Sequence, residues 1–213
     1  MHRGMKIAFL AALGAALFVA PSLAATWNID SAHSSAQFSV KHLMIATVRG
    51  EFSKVSGAIE FDGKTIAGIT VDATIDAATV TTREPKRDAH LKSADFFDVE
   101  KFPTITFKSK KAVAAGPGKF KLTGDLTMHG VTKEVTLDVD GPTAEIKDPW
   151  GNVKIGASAT TKINRKEFGV SWNGNLDNGG VVVGDEVTIT IDLEAAKKAD
   201  EAAKPAEAAK PKK

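Results

Sequence analysis

The chain of 213 residues has no cysteine, 43% hydrophobic residues and a formal net charge of +2. Lack of cysteine excludes disulfides, thiolate metal sites, a thiol nucleophile and a lipid-modified N-terminal cysteine, so a packed core alone has to hold the fold. The excess positive charge sits at the two ends: residues 25–194 carry 20 basic and 23 acidic groups, which is not the basic footprint of a nucleic-acid binder.

Residues 1–24 are built as an export signal. Arg3 and Lys6 open it, Ile7 to Ala20 form an apolar run, and Ser22-Leu23-Ala24 supplies the small residues that precede cleavage. The run is shorter than the roughly 20 residues a membrane span needs. The expected mature protein starts at Ala25 and is exported and soluble, and no later segment is long and apolar enough to span.

From residue 25 to 194 the dominant signal is alternation with a period of two. Ala36, Phe38 and Val40 share a parity, as do Ile69, Val71, Ala73 and Ile75. The same holds for Phe120, Leu122 and Leu126, for Val135, Leu137 and Val139, for Val153, Ile155, Ala157 and Ala159, and for Val187, Ile189, Ile191 and Leu193. Such strands bury one face and wet the other. Asp62-Gly63, Gly116-Pro117-Gly118, Gly141-Pro142 and Asn178-Gly179-Gly180 punctuate them, and short connections of this kind favour antiparallel neighbours.

The pattern predicts eight or nine strands and no amphipathic helix of ordinary length. A sandwich and a closed barrel both fit that count. The length of the strands favours the barrel, an all-β, antiparallel, eight-stranded one, because closure removes the edges and long strands enclose a cavity for one ligand.

Arg87 to Phe107 departs from the alternation. Asp88 is the expected N-cap of a turn through Lys92, and Ser93 of a second from Ala94 to Phe97, giving a short helical segment near residues 88–97. Leu91, Phe96 and Phe97 would then point inward as an apolar plug. Two readings follow: a cap on one barrel end, or a segment whose Arg87, Asp88 or His90 touches a ligand. Residues 195–213, rich in Ala, Lys and Pro, read as a disordered tail that solubilises the chain or touches anionic surfaces weakly.

Chemistry-bearing motifs are sparse. His33, His42, His90 and His129 have no second histidine within five residues, so no local metal site forms. There is no Gly-x-Ser-x-Gly elbow, no Gly-rich phosphate loop and nothing that selects two carboxylates for acid/base work. The expectation is a binding protein with no catalytic residue, cofactor or metal.

Seven stretches do stand out together: WNIDSAHS (27–34), FSVKH (38–42), RDAHLKSADFFD (87–98), FPTITFKS (102–109), GDLTMHGVTK (124–133), INRKEFG (163–169) and VGDEVTITI (183–191). In this order they resemble the YceI family of exported bacterial proteins. The resemblance implies an extended, lipocalin-like barrel in the periplasm, holding a polyisoprenoid or similar long-chain amphiphile such as a quinone precursor or polyprenyl phosphate, for transport, storage or sequestration. Small interior candidates such as Ala73, Ala157 and Ala159 fit that picture, and each buried methylene yields about 0.8 kcal/mol.

On that reading Phe38, Val40, Phe52, Phe107, Leu126 and Phe168 line an apolar tunnel, and His42, Arg87, Asp88, His90, Asn164 and Arg165 meet the head group. Ordinary core packing remains the alternative for the first set, and a strand-pinning salt bridge for Arg165. Two rival functions stay open: an envelope structural or stress protein with a filled core, and an enzyme acting on the bound lipid through His42 or His90. The sequence leaves the oligomeric state open, a homodimer included.

Overall fold

Twelve hydrogen-bonded strand segments build the staves of one closed antiparallel barrel of eight strands in the computed structural model, which describes residues 24–177 and 179–199. The segments are β1 (Ala25–Ile29), β2 (Ser35–His42), β3 (Ala46–Phe52), β4 (Val55–Phe61), β5 (Thr70–Asp76), β6 (Val80–Thr81), β7 (Thr104–Gly116), β8 (Lys119–Met128), β9 (Val131–Asp140), β10 (Ile146–Lys147), β11 (Val153–Asn164) and β12 (Val183–Lys197). One helix, α1 (Pro85–Lys92), lies between β6 and β7. The ring runs β1–β4–β5–β7–β8–β9–β11–β12 and closes where Trp27 of β1 pairs with Lys197 of β12. No helix among the described residues is long and apolar enough to cross a membrane.

The segments outnumber the expected eight or nine strands because three staves are broken, β1/β2, β3/β4 and β5/β6, and the two-residue β10 adds one more. β1 and β2 pair with successive parts of β12, Ile29 with Ala195 and Ala36 with Ile191. Between them the chain turns at Asp30, whose backbone carbonyl accepts from His33 N and whose carboxylate accepts from Ala32 N. β3 and β4 are likewise two parts of one stave, interrupted at Ser53 and Lys54.

Alternation sets the faces. Along β8, Phe120, Leu122, Leu126 and Met128 are buried, whereas Lys119 and Lys121 face water and pair across to Asp140 and Asp138 of β9. Such exposed pairs each contribute at most about 1 kcal/mol, so burial of the inner row dominates. Gly124 occupies one inward position, where a side chain would run into the Phe107 ring and the Lys108 carbonyl. The buried apolar residues form two clusters. One, under α1, contains Phe52, Phe96, Met128 and Phe168; the other, at the far end, surrounds Trp27, which is fully buried and donates to the Phe61 carbonyl.

α1 begins earlier than expected. Pro85 supplies a pre-set φ at the first position and the Glu84 carboxylate accepts from Lys86 N, so Glu84, not Asp88, is the N-cap. Ser93 serves both sides: its N–H and hydroxyl donate to the His90 carbonyl and end this helix, and, as expected, its hydroxyl also accepts from Asp95 N to cap the turn over residues 94–97. Leu91, Phe96 and Phe97 nevertheless pack into the apolar cluster beneath.

β12 runs through Lys197, beyond residue 194 where the core was expected to end. Ala195 continues the inward parity of Leu193 and is fully buried, and the Lys197 ammonium lies 5.0 Å from the Trp27 ring centroid. Alanines here read as low complexity, yet close packing against Trp27 needs a small residue. Residues 1–23 and those beyond 199, which carry the expected export signal and most of the tail, lie outside the described residues, as does Asn178.

Candidate functional site: an apolar cavity beneath the helix

Several inward residues of β12, among them Val187, Ile189 and Ile191, are only half-buried although they sit on the core face. The reason is empty space. A cavity of about 380 Å³ runs through the barrel, from Arg87, His90 and Trp172 at the α1 end to Phe120, Pro142 and Ile155 at the other. Ligand pockets span roughly 300–1,000 Å³, so the volume is that of a binding site and not of a packing defect.

The lining is nearly all apolar. It takes the inner rows of every stave, including Ala36, Val71, Ala73, Val139, Ala157 and Ala159. Of the six residues expected along a tunnel, Phe38, Val40, Phe52, Phe107 and Leu126 line it. A run of aromatic contacts leads inward from the lid, Phe97 to Phe52 at 5.3 Å and Phe52 to Phe38 at 5.8 Å between ring centroids. Phe168 is placed differently: it is buried in the wall, where β9 and β11 splay apart. Those two strands pair only at Asp138–Asp140 with Ser158–Thr160, and Phe168 closes the seam beyond.

The polar residues gather at the α1 end, where exposed Lys41 and Arg87 and half-buried His42 and His90 belong to the lining. Among the described residues no Asp or Glu lines the cavity. His90 Nε2 lies 2.8 Å from Asp95 Oδ2, and its ring stands edge-on to Phe96 and Trp172, both 5.0 Å away by centroid. Arg87 is oriented from below: Nε donates to Thr82 Oγ1 at 2.7 Å and Nη2 to the Thr82 carbonyl at 3.1 Å, leaving Nη1 without a protein acceptor among the described residues. A guanidinium held this way keeps one edge available to a hydrogen-bond acceptor.

The other three expected head-group residues serve the walls. Asp88 accepts from Thr82 N, from the Thr82 hydroxyl and from the Thr81 hydroxyl. Burial pushes its carboxyl up, but these hydrogen bonds outweigh burial and hold it below the usual carboxylate range. Asn164 is exposed and caps the short 3₁₀ turn Arg165–Phe168 by accepting from Lys166 N. Arg165 is 4% exposed and donates to the carbonyls of Gly184, Val170, Trp172 and Val183. Its guanidinium edge reaches the lining, yet its donors are already committed to pinning the segment that carries Trp172. Burial lowers its pKa, partly offset by Asp185.

Sequence reasoning missed Trp172, Val182 and Thr82. The first two lie on a stretch with no alternation, and Thr82 matters through a hydroxyl that both accepts and donates. Among the described residues the hydroxyls in the lining belong to Thr106, Ser158 and Thr161, on β7 and β11, and the histidines to β2 and α1. Asp30, His33 and Glu194 bring their side chains within metal-ligating reach of one another on the outer wall. Lys154 already supplies the positive charge there, with Nζ 2.5 Å from Glu194 and 3.3 Å from Asp30.

Comparison with known proteins agrees with this architecture. The model of the YceI-like domain matches residues 27–195. A UPF0312 protein of Vibrio parahaemolyticus is 38% identical over 174 residues, covering 81% of this chain and 88% of the relative, and one of Staphylococcus aureus is 36% identical over 168 residues, covering 79% and 95%. Among solved structures, a YceI protein of Campylobacter jejuni superimposes with a TM-score of 0.63 at 35% identity, covering 75% of this chain and 90% of that one. BcnA of Burkholderia cenocepacia gives 0.66 at 27% identity, covering 78% and 98%. A polyisoprenoid binding domain from Saccharophagus degradans, implicated in plant cell wall breakdown, gives 0.59 at 16% identity over 81% and 98%, a likeness of fold. The chain belongs to the YceI-like domain family.

Proposed function

We propose that this chain is a periplasmic binding protein that holds a long-chain isoprenoid lipid, a quinone precursor or polyprenyl phosphate, in the barrel interior for transport, storage or sequestration. The observation that carries the reading is the continuous apolar cavity of about 380 Å³, closed at one end by α1 and bordered there by cationic and histidine side chains. Polyisoprenoid binding by a domain of the same fold supports the ligand class. The export signal read in residues 1–24 supports the compartment. The cavity argues against a filled-core structural protein.

In this reading Phe38, Val40, Phe52, Phe107 and Leu126 contact the chain, while His42, Arg87 and His90 meet the head. Asp88, Asn164, Arg165 and Phe168 hold those walls in place. At about 0.8 kcal/mol per buried methylene, the apolar tail provides most of the affinity. The test is a titration of the mature protein with a fluorescent polyprenyl phosphate, followed by competition with unlabelled polyprenols of increasing length. Affinity should rise with length until the tunnel is filled and then level off. Absence of saturable binding would refute the proposal.

A further inference from the structure

The hairpin joining β2 to β3 is built against its own backbone preference. Ile45 N donates to the His42 carbonyl at 3.1 Å, closing a tight turn in which Leu43 and Met44 have φ of 51° and 61°. Two consecutive left-handed residues make a turn of the kind that favours Asn-Gly, because a side chain there crowds the following carbonyl. This chain instead places Leu and Met in the turn and Ile after it. Met44 is 54% exposed and Ile45 82% exposed, so the strained turn presents apolar side chains to the outside.

The tip stands on the rim of the cavity. His42 and Val48, which flank it, and Val182, whose carbonyl accepts from Leu43 N at 2.8 Å, all belong to the lining. The exposed charged groups in the lining of that rim, Lys41 and Arg87, are cationic and make no salt bridge among the described residues, although Asp88 lies beside Arg87 and the nearby His90 faces Asp95. Both described chain ends lie at the opposite pole, where Trp27 pairs with Lys197.

Resting on the lipid-binding reading above, we propose that Leu43–Met44–Ile45 docks the cavity mouth on a phospholipid bilayer bearing anionic head groups, so that a lipid passes between membrane and barrel without crossing water. Apolar residues flanked by cations seat in the interface between head groups and acyl chains. The exposed apolar tip meets the first need, and the basic rim meets the second.

Because the chain has no cysteine, single-site labelling is unambiguous. Ile45→Cys and, at the other pole, Trp150→Cys are each labelled with an environment-sensitive fluorophore and titrated with mixed phosphatidylcholine and phosphatidylglycerol vesicles. The probe at 45 should brighten about severalfold and be quenched by brominated acyl chains, with the probe at 150 unaffected. Equal response at both sites, or response at 150 alone, would overturn the proposal, as would silence at both.

A second variant, Leu43→Asn with Met44→Gly, relieves the turn. It should melt higher than the parent, bind an apolar dye equally well, and extract a fluorescent polyprenol from vesicles about tenfold more slowly. Unchanged extraction would overturn the docking role. Failure of every form to bind the dye would instead refute lipid binding itself, leaving docking to be judged by the label alone.

Discussion

Arg87 and Asp88, neighbours on α1, are tied together through one hydroxyl: Thr82 Oγ1 accepts from Arg87 Nε at 2.7 Å and donates to Asp88 Oδ1 at 2.5 Å. Asp88 faces the wall and Arg87 the mouth. The same threonine thus anchors the lid helix and aims its cation.

Asp88→Asn should lower stability by about 1–3 kcal/mol in chemical denaturation, because a half-buried carboxylate loses its charge-assisted bonds to Thr81 and Thr82. With the carboxyl held below its usual range, the parent's advantage exists at neutral pH and disappears as pH falls through the folded pKa. Binding should suffer selectively. A polyprenyl phosphate should lose more affinity than an uncharged polyprenol of equal length, since the Thr82 hydroxyl that holds Arg87 loses its carboxylate anchor.

Arg165→Met should be more damaging, by about 3–5 kcal/mol, since the carbonyls of Gly184, Val170, Trp172 and Val183 would be left without its donors. Lys at this position should not rescue, having no planar fork to serve four acceptors. Hydrogen exchange should speed up first in the segment bearing Trp172.

The outer wall predicts an acid response. The hydrogen bond to His33 is the main cause that lowers the Asp30 carboxyl from 3.8 to about 2, against the effect of burial and with help from Ala32 N and Lys154. A depressed pKa gives stability that is present above the ordinary value and lost as pH falls through the folded one. Melting temperature measured from pH 5 to pH 2 should therefore drop less steeply in Asp30→Asn than in the parent, whose loss falls between about 4 and about 2.

Tunnel length should be set by the small residues. Ala157→Phe adds an aromatic ring to the wall of the distal half of the cavity, beside Ile155 and Ala159. Long polyprenols should bind at least about tenfold more weakly, as every two excluded methylenes forfeit roughly 1.6 kcal/mol, while short ones keep their affinity. A uniform loss at all lengths would mean the ring had disturbed the fold.

Much of this architecture was legible in the residue order. Alternation identified the inner rows, and Val187, Ile189, Ile191, Leu193, Leu122 and Ala159 all face the interior as their parity dictates. Parity distinguishes inside from outside, but not lining from packed wall. Phe168 shows the limit: it is as apolar as Phe107, yet it fills a seam created by the short β9–β11 ladder, a consequence of register that no local pattern carries. Arg165 likewise announced a charge, whereas its role depends on four carbonyls brought in from residues 170–184. The start of α1 was misplaced because Asp88 is a good N-cap residue in isolation, but Glu84-Pro85 offers an acceptor and a pre-set φ earlier in the chain.

The central claim, that the cavity is a lipid site, is tested most directly by native mass spectrometry of the protein purified from its native cells, with organic extraction of any released mass. The account predicts a bound long-chain isoprenoid whose share falls sharply in Ala157→Phe. A protein that arrives empty and also refuses added polyprenols would contradict it.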